Sequence, residues 1–317
     1  MSRYLMRRIM QSIPLLIGIS LISFFAMRIM PGGPLAGYKM NPHVTQADID
    51  RLRELWGLNE PIIQQYWKWL VSMIKGDWGW SYRSGLPVRN IVFSRIPNTL
   101  LLMGLSYIIS LIVAIPVGIY SALRRYSVFD YIFTVFAFMG VAIPSFWFGI
   151  MLMLLFSATL QWLPSSGMFT IGEGFNLIDR IRHLIMPTLV LSFINMASWS
   201  RYMRSSMLET ISTDYIRTAR AKGLSEKLVI LKHALRNALI PIVTLLGLSL
   251  PAIVGGAVIT ERVFAWPGVG QLFVSSVYSR DYPILMASLM LTATSVVVGN
   301  MLADIAYGFL DPRIKYD

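Results

Sequence analysis

Residues 209–241 read ETISTDYIRTARAKGLSEKLVILKHALRNALIP. Ser212 or Thr213 is placed to cap a first short helix, and Gly223 to end it in a left-handed conformation. Ser225 can cap a second helix with Glu226 in its first turn, where a negative charge suits the helix dipole. Leu228, Leu231, Leu235 and Leu239 then share one face of that helix. The stretch therefore predicts a helix, a glycine corner and a second helix, with Arg217, Arg220 and Lys222 around the corner. From these residues alone, two readings are open: a basic loop held by anionic lipid, or a docking site.

What flanks this stretch decides the fold class. Of 317 residues, 28 are Lys or Arg and 16 are Asp or Glu, giving +12, yet only 14% are charged and 55% are hydrophobic. A disordered chain needs the opposite balance. A soluble nucleic-acid binder concentrates basic residues in a chain of ordinary charge content, so no nucleic-acid partner is expected. Crossing a bilayer takes about 20 predominantly apolar residues. Six runs are long enough to be expected as spans: Ile9 to Met27, Ile96 to Leu123, Tyr131 to Leu160, Leu184 to Ser200, Asn237 to Thr260 and Tyr282 to Ala303. Arg124 to Asp130 would join the second and third as a tight hairpin. The expected fold is all-α integral membrane with six transmembrane helices. Arg3, Arg7 and Arg8 precede the first run, which is too long for a secretory h-region and reads as a retained signal anchor.

Lys and Arg distribution sets orientation. With the N-terminus inside, the inner segments 1–8, 124–130, 201–236 and 304–317 hold 15 basic and 6 acidic residues, Asp304 set aside. Three quarters of the +12 is thus cytoplasmic, and 8 of the 15 inner basic residues lie in 201–236. Both termini are expected in the cytoplasm. The chain divides into an anchor span (1–30), an extracytoplasmic segment (31–95), a five-span core (96–310) containing the loop 201–237, and a tail (311–317). In the outer segment, Thr45 to Trp56 predicts a helix capped by Thr45 and stopped at Gly57. Pro61 to Ile74 predicts a second, with Ile62, Tyr66, Trp69 and Met73 on one face. Trp67, Trp69, Trp78 and Trp80 suit an interfacial belt. A cap lying on the membrane and a docking surface for an external partner are both open readings.

The run Asp214-Tyr215-Ile216-Arg217-Thr218-Ala219-Arg220-Ala221-Lys222-Gly223-Leu224, followed by His233-Ala234-Leu235-Arg236-Asn237, resembles the inner-loop signature of binding-protein-dependent ABC importer permeases. It is most similar to the dipeptide/oligopeptide/nickel permease family. The wider superfamily begins this loop Glu-Ala-Ala, then three residues, then Gly; Arg217, Thr218, Ala219 and Gly223 stand there, a departure usual in the peptide branch. The resemblance extends through Gly57-Leu58-Asn59-Glu60-Pro61, Gly76-Asp77-Trp78-Gly79, Arg95-Ile96-Pro97-Asn98-Thr99, Ile143-Pro144-Ser145-Phe146-Trp147 and Trp162-Leu163-Pro164-Ser165-Ser166-Gly167. It continues in Glu261-Arg262-Val263-Phe264-Ala265-Trp266-Pro267-Gly268-Val269-Gly270-Gln271-Leu272 and the tail Asp311-Pro312-Arg313. It implies a type I ABC importer permease fold in a bacterial or archaeal cytoplasmic membrane. It also implies a second homologous permease subunit, two cytoplasmic ATPase subunits docked on the helix before Gly223, and an extracytoplasmic peptide-binding protein. ATP and Mg would be bound by the ATPases, with no cofactor in this chain. The substrate implied is a di- or oligopeptide, with nickel, glutathione and sugars as the family's alternatives.

Groups lining a path would be costly facing lipid. Ser192, Asn195 and Ser198 in the fourth run and Thr292, Ser295 and Asn300 in the sixth are the candidates, although such residues also hydrogen-bond between helices. There is no Cys, hence no disulfide or thiolate site. His43, His183 and His233 stand in loops or at span ends, without a zinc motif or an acid pair at membrane depth. A secondary transporter would show an internal repeat and a midplane ionisable residue, and the sequence has neither. No G-x-x-x-x-G-K-[ST] phosphate loop is present. The purified chain alone is therefore expected to show no ATPase activity by phosphate release; hydrolysis in a clean preparation would refute that division of labour.

Overall fold

Backbone polar groups in hydrocarbon have no water to bond, so an apolar run crosses a bilayer only as a helix or within a closed barrel. The computed structural model of the chain, which describes residues 2–29, 33, 35 and 44–310, takes the helical route. Among the described residues the only β-pairing is an isolated bridge between Trp80 and Pro87. His43 and the motif Asp311-Pro312-Arg313 lie outside the described residues, as does the Asp304 side chain.

The order is α1 (Ser2–Ile29), α2 (Gln46–Leu55), α3 (Ile62–Ile74), α4 (Val88–Leu123), α5 (Val128–Ala142), α6 (Ser145–Leu152), α7 (Leu177–Ile211), α8 (Asp214–Ala221) and α9 (Glu226–Leu228). Then come α10 (Leu235–Ala238), α11 (Ile240–Gly255), α12 (Val258–Val263), α13 (Val269–Ser279) and α14 (Tyr282–Leu310). Among the described residues, four stretches are long and apolar enough to cross a membrane: Met6–Ile29, Val88–Leu123, Glu226–Ser249 and Tyr282–Leu302. A bent pair would make a fifth.

That bent pair corrects the expected third span. α5 and the segment formed by α6 and its π-helical continuation Met153–Thr159 meet at 104°. Pro144 cannot donate a backbone hydrogen bond, and it forces Ile143 into extended backbone (φ −79, ψ 123), so α5 must end there. The expected fourth span, Leu184 to Ser200, lies inside the 35-residue helix α7. Thr188, Ser192, Asn195, Ser198 and Ser200 dilute its apolar run, and it is not among the stretches apolar enough to count. The expected fifth span also shifts. Its apolar stretch begins at Glu226, and the helix ends at Gly255, before the left-handed Gly256 (φ +81).

Outside the spans, α2 and α3 form where the pattern places them. Thr45 caps α2 in a reciprocal capping box with Asp48. On α3, Tyr66, Trp69 and Met73 pack inward, whereas Ile62 is exposed. The tryptophan belt splits: Trp67 and Trp80 are exposed, but Trp69 and Trp78 pack into clusters with α1, α4 and α14.

α4 and α7 form the centre. Leu102 packs near Leu184, Ser110 hydrogen-bonds to the Ser192 carbonyl, and Gly118 lies against Met203. These pairs advance together along both helices, so α4 and α7 run parallel. Small residues permit the close approach. A Cβ on Gly118 would lie 2.5 Å from Met203 Cβ, and one on Gly140 of α5 would lie 2.6 Å from Ala197 Cβ.

At the Val88 end of α4, three of the quoted motifs meet. Glu261 on α12 is fully buried. The Thr99 hydroxyl donates to its Oε1 (2.9 Å) and the Gln271 N–H to its Oε2 (3.0 Å). Burial raises the carboxyl above its usual pKa, and these hydrogen bonds pull against that. Asn98 Nδ2 donates to the Pro267 carbonyl (2.9 Å), Trp266 Nε1 donates to the Asn98 carbonyl (3.0 Å), and Gly167 N–H donates to the Phe264 carbonyl (2.8 Å). Gly268 leaves room for the carboxylate, since a Cβ there would sit 2.4 Å from its oxygens. Replacing Gly268 by Ala is expected to destabilise the chain by about 1–3 kcal/mol, the usual cost of overpacking. A thermal midpoint in detergent checks this, and an unchanged midpoint would contradict the packing.

Candidate coupling site

α8 is a two-faced helix of eight residues. Ile216 is fully buried and Ala219 nearly so, in a cluster with Trp199, Met203, Met207, Val229, Ala234, Ala238 and Ile242. Tyr215, Arg217, Arg220 and Lys222 face out. The Arg217 charge gains little from the protein itself. Arg217 pairs with Asp214 at 3.4 Å where both are largely exposed, and such pairs contribute about 0–1 kcal/mol. Arg220 reaches across the corner to Glu226 with two bonds, at 2.6 and 3.1 Å.

Gly223 takes φ +76, as the sequence predicts, and no atom lies within 4 Å of where its Cβ would be. The corner therefore demands glycine for its backbone conformation alone. The caps differ from expectation. Thr213 holds the N-cap position but its hydroxyl donates to the Thr210 carbonyl (2.6 Å), Ser212 donates to Glu209 (2.7 Å), and Ser225 makes no side-chain cap. Both threonine and serine hydroxyls can serve the preceding turn instead of the next helix.

The leucine face is also corrected. Residues Val229–Ala234 form a π-helical turn, which inserts one residue between α9 and α10. The buried set becomes Val229, Ala234, Ala238 and Ile242, spaced five, four and four, while Leu228 and Leu231 are exposed. Asn237 then reaches back to α8, its Nδ2 donating to the Tyr215 hydroxyl at 2.7 Å. The two halves of the quoted signature thus touch directly.

A second fixture was not foreseen. Asp130, in the first turn of α5, is buried, and Arg204 of α7 clasps it with Nε to Oδ1 and Nη2 to Oδ2, both 2.7 Å. Ser121 donates to Oδ1 (2.9 Å) and the Tyr126 N–H to Oδ2 (3.0 Å), holding Tyr126 at φ +64 in the hairpin. This carboxylate ties the α4–α5 hairpin to α7 two turns before α8. The only sequence hints were one acid beside Arg124 and Arg125, and a cation 74 residues away.

The path candidates are placed differently from one another. Ser192 is fully buried between α4 and α7, its hydroxyl donating to the Ser106 carbonyl (3.2 Å). It makes an interhelical contact. Asn195 and Ser198 are partly exposed on α7. On α14, Thr292 and Ser295 donate to carbonyls one turn back (2.9 and 2.7 Å), and Asn300 is exposed. Among the described residues no cluster of His, Asp or Glu could hold a metal ion.

Two variants separate fold from coupling. Gly223→Val should insert normally yet lose transport, because a β-branched residue at φ +76 costs about 1–3 kcal/mol in backbone strain. Wild-type uptake by that variant would sink the role of the corner. Asp130→Ala should destabilise by about 1.5–3 kcal/mol by removing the charged hydrogen bonds to Arg204, read as a lowered thermal midpoint in detergent.

Comparisons with known proteins place this architecture. Residues 114–316 match the family described as binding-protein-dependent transport system inner membrane component, and residues 1–103 match its N-terminal companion. The oligopeptide transport system permease protein AppB of Bacillus subtilis is 49% identical over 317 residues, all of both chains. The dipeptide transport system permease protein DppB of Escherichia coli K12 is 37% identical, over 100% of this chain and 99% of that one. Among solved structures, an inward-facing form of the MetNI methionine ABC transporter superposes with a TM-score of 0.55 at 18% identity, over 71% of this chain and 98% of that one, a likeness of fold. The chain belongs to the family of inner-membrane components of binding-protein-dependent transport systems.

Proposed function

We propose that this chain is the permease subunit of an ATP-driven peptide importer, forming half of a translocation path with a second, similar chain. The observation that carries the reading is α8: apolar residues root it in the bundle while its basic face and Tyr215 stand outward. A helix rooted on one side, with basic side chains exposed on the other, suits a rigid lever for cytoplasmic ATPases. The peptide substrate is supported by the names of the relatives at 49% and 37% identity. Two ATPases and an external binding protein complete the assembly, and ATP and Mg belong to the ATPases. We read six spans, with α7 and the bent α5–α6 unit crossing as part of a bundle rather than alone, and both termini in the cytoplasm. Asn195, Ser198, Thr292, Ser295 and Asn300 are the proposed path residues.

The absence of cysteine makes topology simple to test. A single cysteine at Ser225 should be shielded from a membrane-impermeant maleimide in intact cells, and one at Glu173 should be labelled. The reverse pattern would overturn the orientation. For function, cells lacking other peptide importers should accumulate a radiolabelled tripeptide when this chain is expressed with its ATPase, permease and binding-protein partners. Uptake that persists without the ATPases, or no peptide uptake by the full set, would overturn the reading.

A further inference from the structure

α4 and α5 each close on α7 but leave a slot between themselves. α4 meets α7 at Ser110–Ser192 and Gly118–Met203, and α5 meets it at Gly140–Ala197 and Asp130–Arg204. Near the hairpin the Tyr120 and Phe129 rings touch, with centroids 4.5 Å apart. Beyond them a cleft of about 260 Å³ opens, with α7 as its floor. Val113 and Val117 line it from α4, Phe133 and Phe136 from α5, and Met196 from α7. Ser200 is the one polar side chain among the described residues that line it, and its hydroxyl donates to the Ala197 carbonyl of its own helix (3.4 Å). Val113 and Phe136 are 38% and 51% exposed, so the walls keep surface for a ligand.

Width and charge together say what fills the slot. Two helices that touch at one end leave a taper between them, which a third helix about 10–12 Å across cannot enter. A single hydrocarbon chain can. From the slot a row of rings leads back to the hairpin: Phe136 to Phe133 (6.4 Å), Phe133 to Phe129 (4.3 Å) and Phe129 to Tyr120. At the end of that row Arg124 and Arg125 are exposed. Asp130, the acid of the hairpin, is buried and already clasped by Arg204, and no carboxylate pairs with either arginine among the described residues. Guanidinium groups match phosphate geometry, and each basic residue at a membrane surface favours anionic lipid by about fivefold in affinity.

We propose that the slot holds an acyl chain of an anionic phospholipid, whose phosphate rests on Arg124 and Arg125. The chain supplies dispersion contacts to three helices at once, contacts that an empty recess would forfeit. The site needs only that this chain lies in a bilayer, and it is independent of the peptide reading.

The chain has no cysteine, so Val113→Cys can carry a bimane probe at the slot and Ile22→Cys a control probe on α1, where that side chain is 73% exposed. The full chain is placed in phosphatidylcholine nanodiscs, and phosphatidylglycerol or phosphatidylcholine with brominated acyl chains is titrated in, bromine quenching bimane on contact. Half-maximal quenching at position 113 should need at least about fivefold less of the brominated phosphatidylglycerol than of the brominated phosphatidylcholine, with no such difference at position 22. Arg124→Gln together with Arg125→Gln should abolish the preference, and the matching pair of lysine substitutions should keep most of it, with unchanged circular dichroism vouching for the fold. Equal quenching by the two lipids, the same preference at position 22, or a preference that survives loss of both arginines would overturn the proposal. So would quenching at position 113 that disappears once a second permease subunit is bound, an outcome that gives the slot to protein.

Discussion

A carboxylate sealed from water is expensive unless every lone pair is engaged, and Glu261 shows what that demands of the chain around it. Thr99 must stand on α4 facing α12, the Gln271 N–H must point back from the start of α13, and Gly268 must carry no side chain. Trp266 and Phe264 close the site, and through them α7 and the loop ending at Gly167 join it. One buried acid therefore fixes the relative placement of α4, α7, α12 and α13 at that end. The hydrophobic effect cannot do this in a bilayer, where lipid tails are as apolar as the helices; packing and hydrogen bonds must.

The opposite end of α4 uses the same device with a different partner. Asp130 has an arginine where Glu261 has amides and a hydroxyl, and it holds the hairpin to α7. Between the two carboxylates, α4 and α7 meet through Ser106, Ser110, Ser192 and Gly118. The pair is thus braced at both ends and closely packed in the middle. α8 is rooted through Ile216 and Ala219 in the same cluster as Met203 and Met207 of α7.

Helices and turns were legible wherever the signal was local. Thr45, Gly57, Gly223 and the Arg124–Asp130 hairpin all act within a few residues, and all stand as the pattern implies. Errors arose where distant residues decide. The π turn at Val229–Ala234 exists because the cluster wants Val229 and Ala234 together, and no periodicity rule announces an inserted residue. The span at Tyr131–Leu160 was read as continuous because hydropathy ignores what Pro144 does to direction. For the site, the α8 residues were visible as a motif, whereas the Asp130–Arg204 clasp links positions 74 apart, and no local pattern in either neighbourhood pairs them. Ser192 was visible as a polar group in an apolar run, but its neighbour Ser106 determines what it does.

The π turn also has a meaning for how this chain tolerates change. In a plain α-helix, losing one residue rotates everything beyond it by about 100°. Between Val229 and Ala234 the chain already holds one residue more than the α spiral needs. A deletion there would restore the ordinary spiral with Ala238 and Ile242 still facing the cluster, while the same deletion a few residues later would turn them toward lipid. The surplus residue acts as slack, confined to the place where the loop after α8 becomes a long apolar helix.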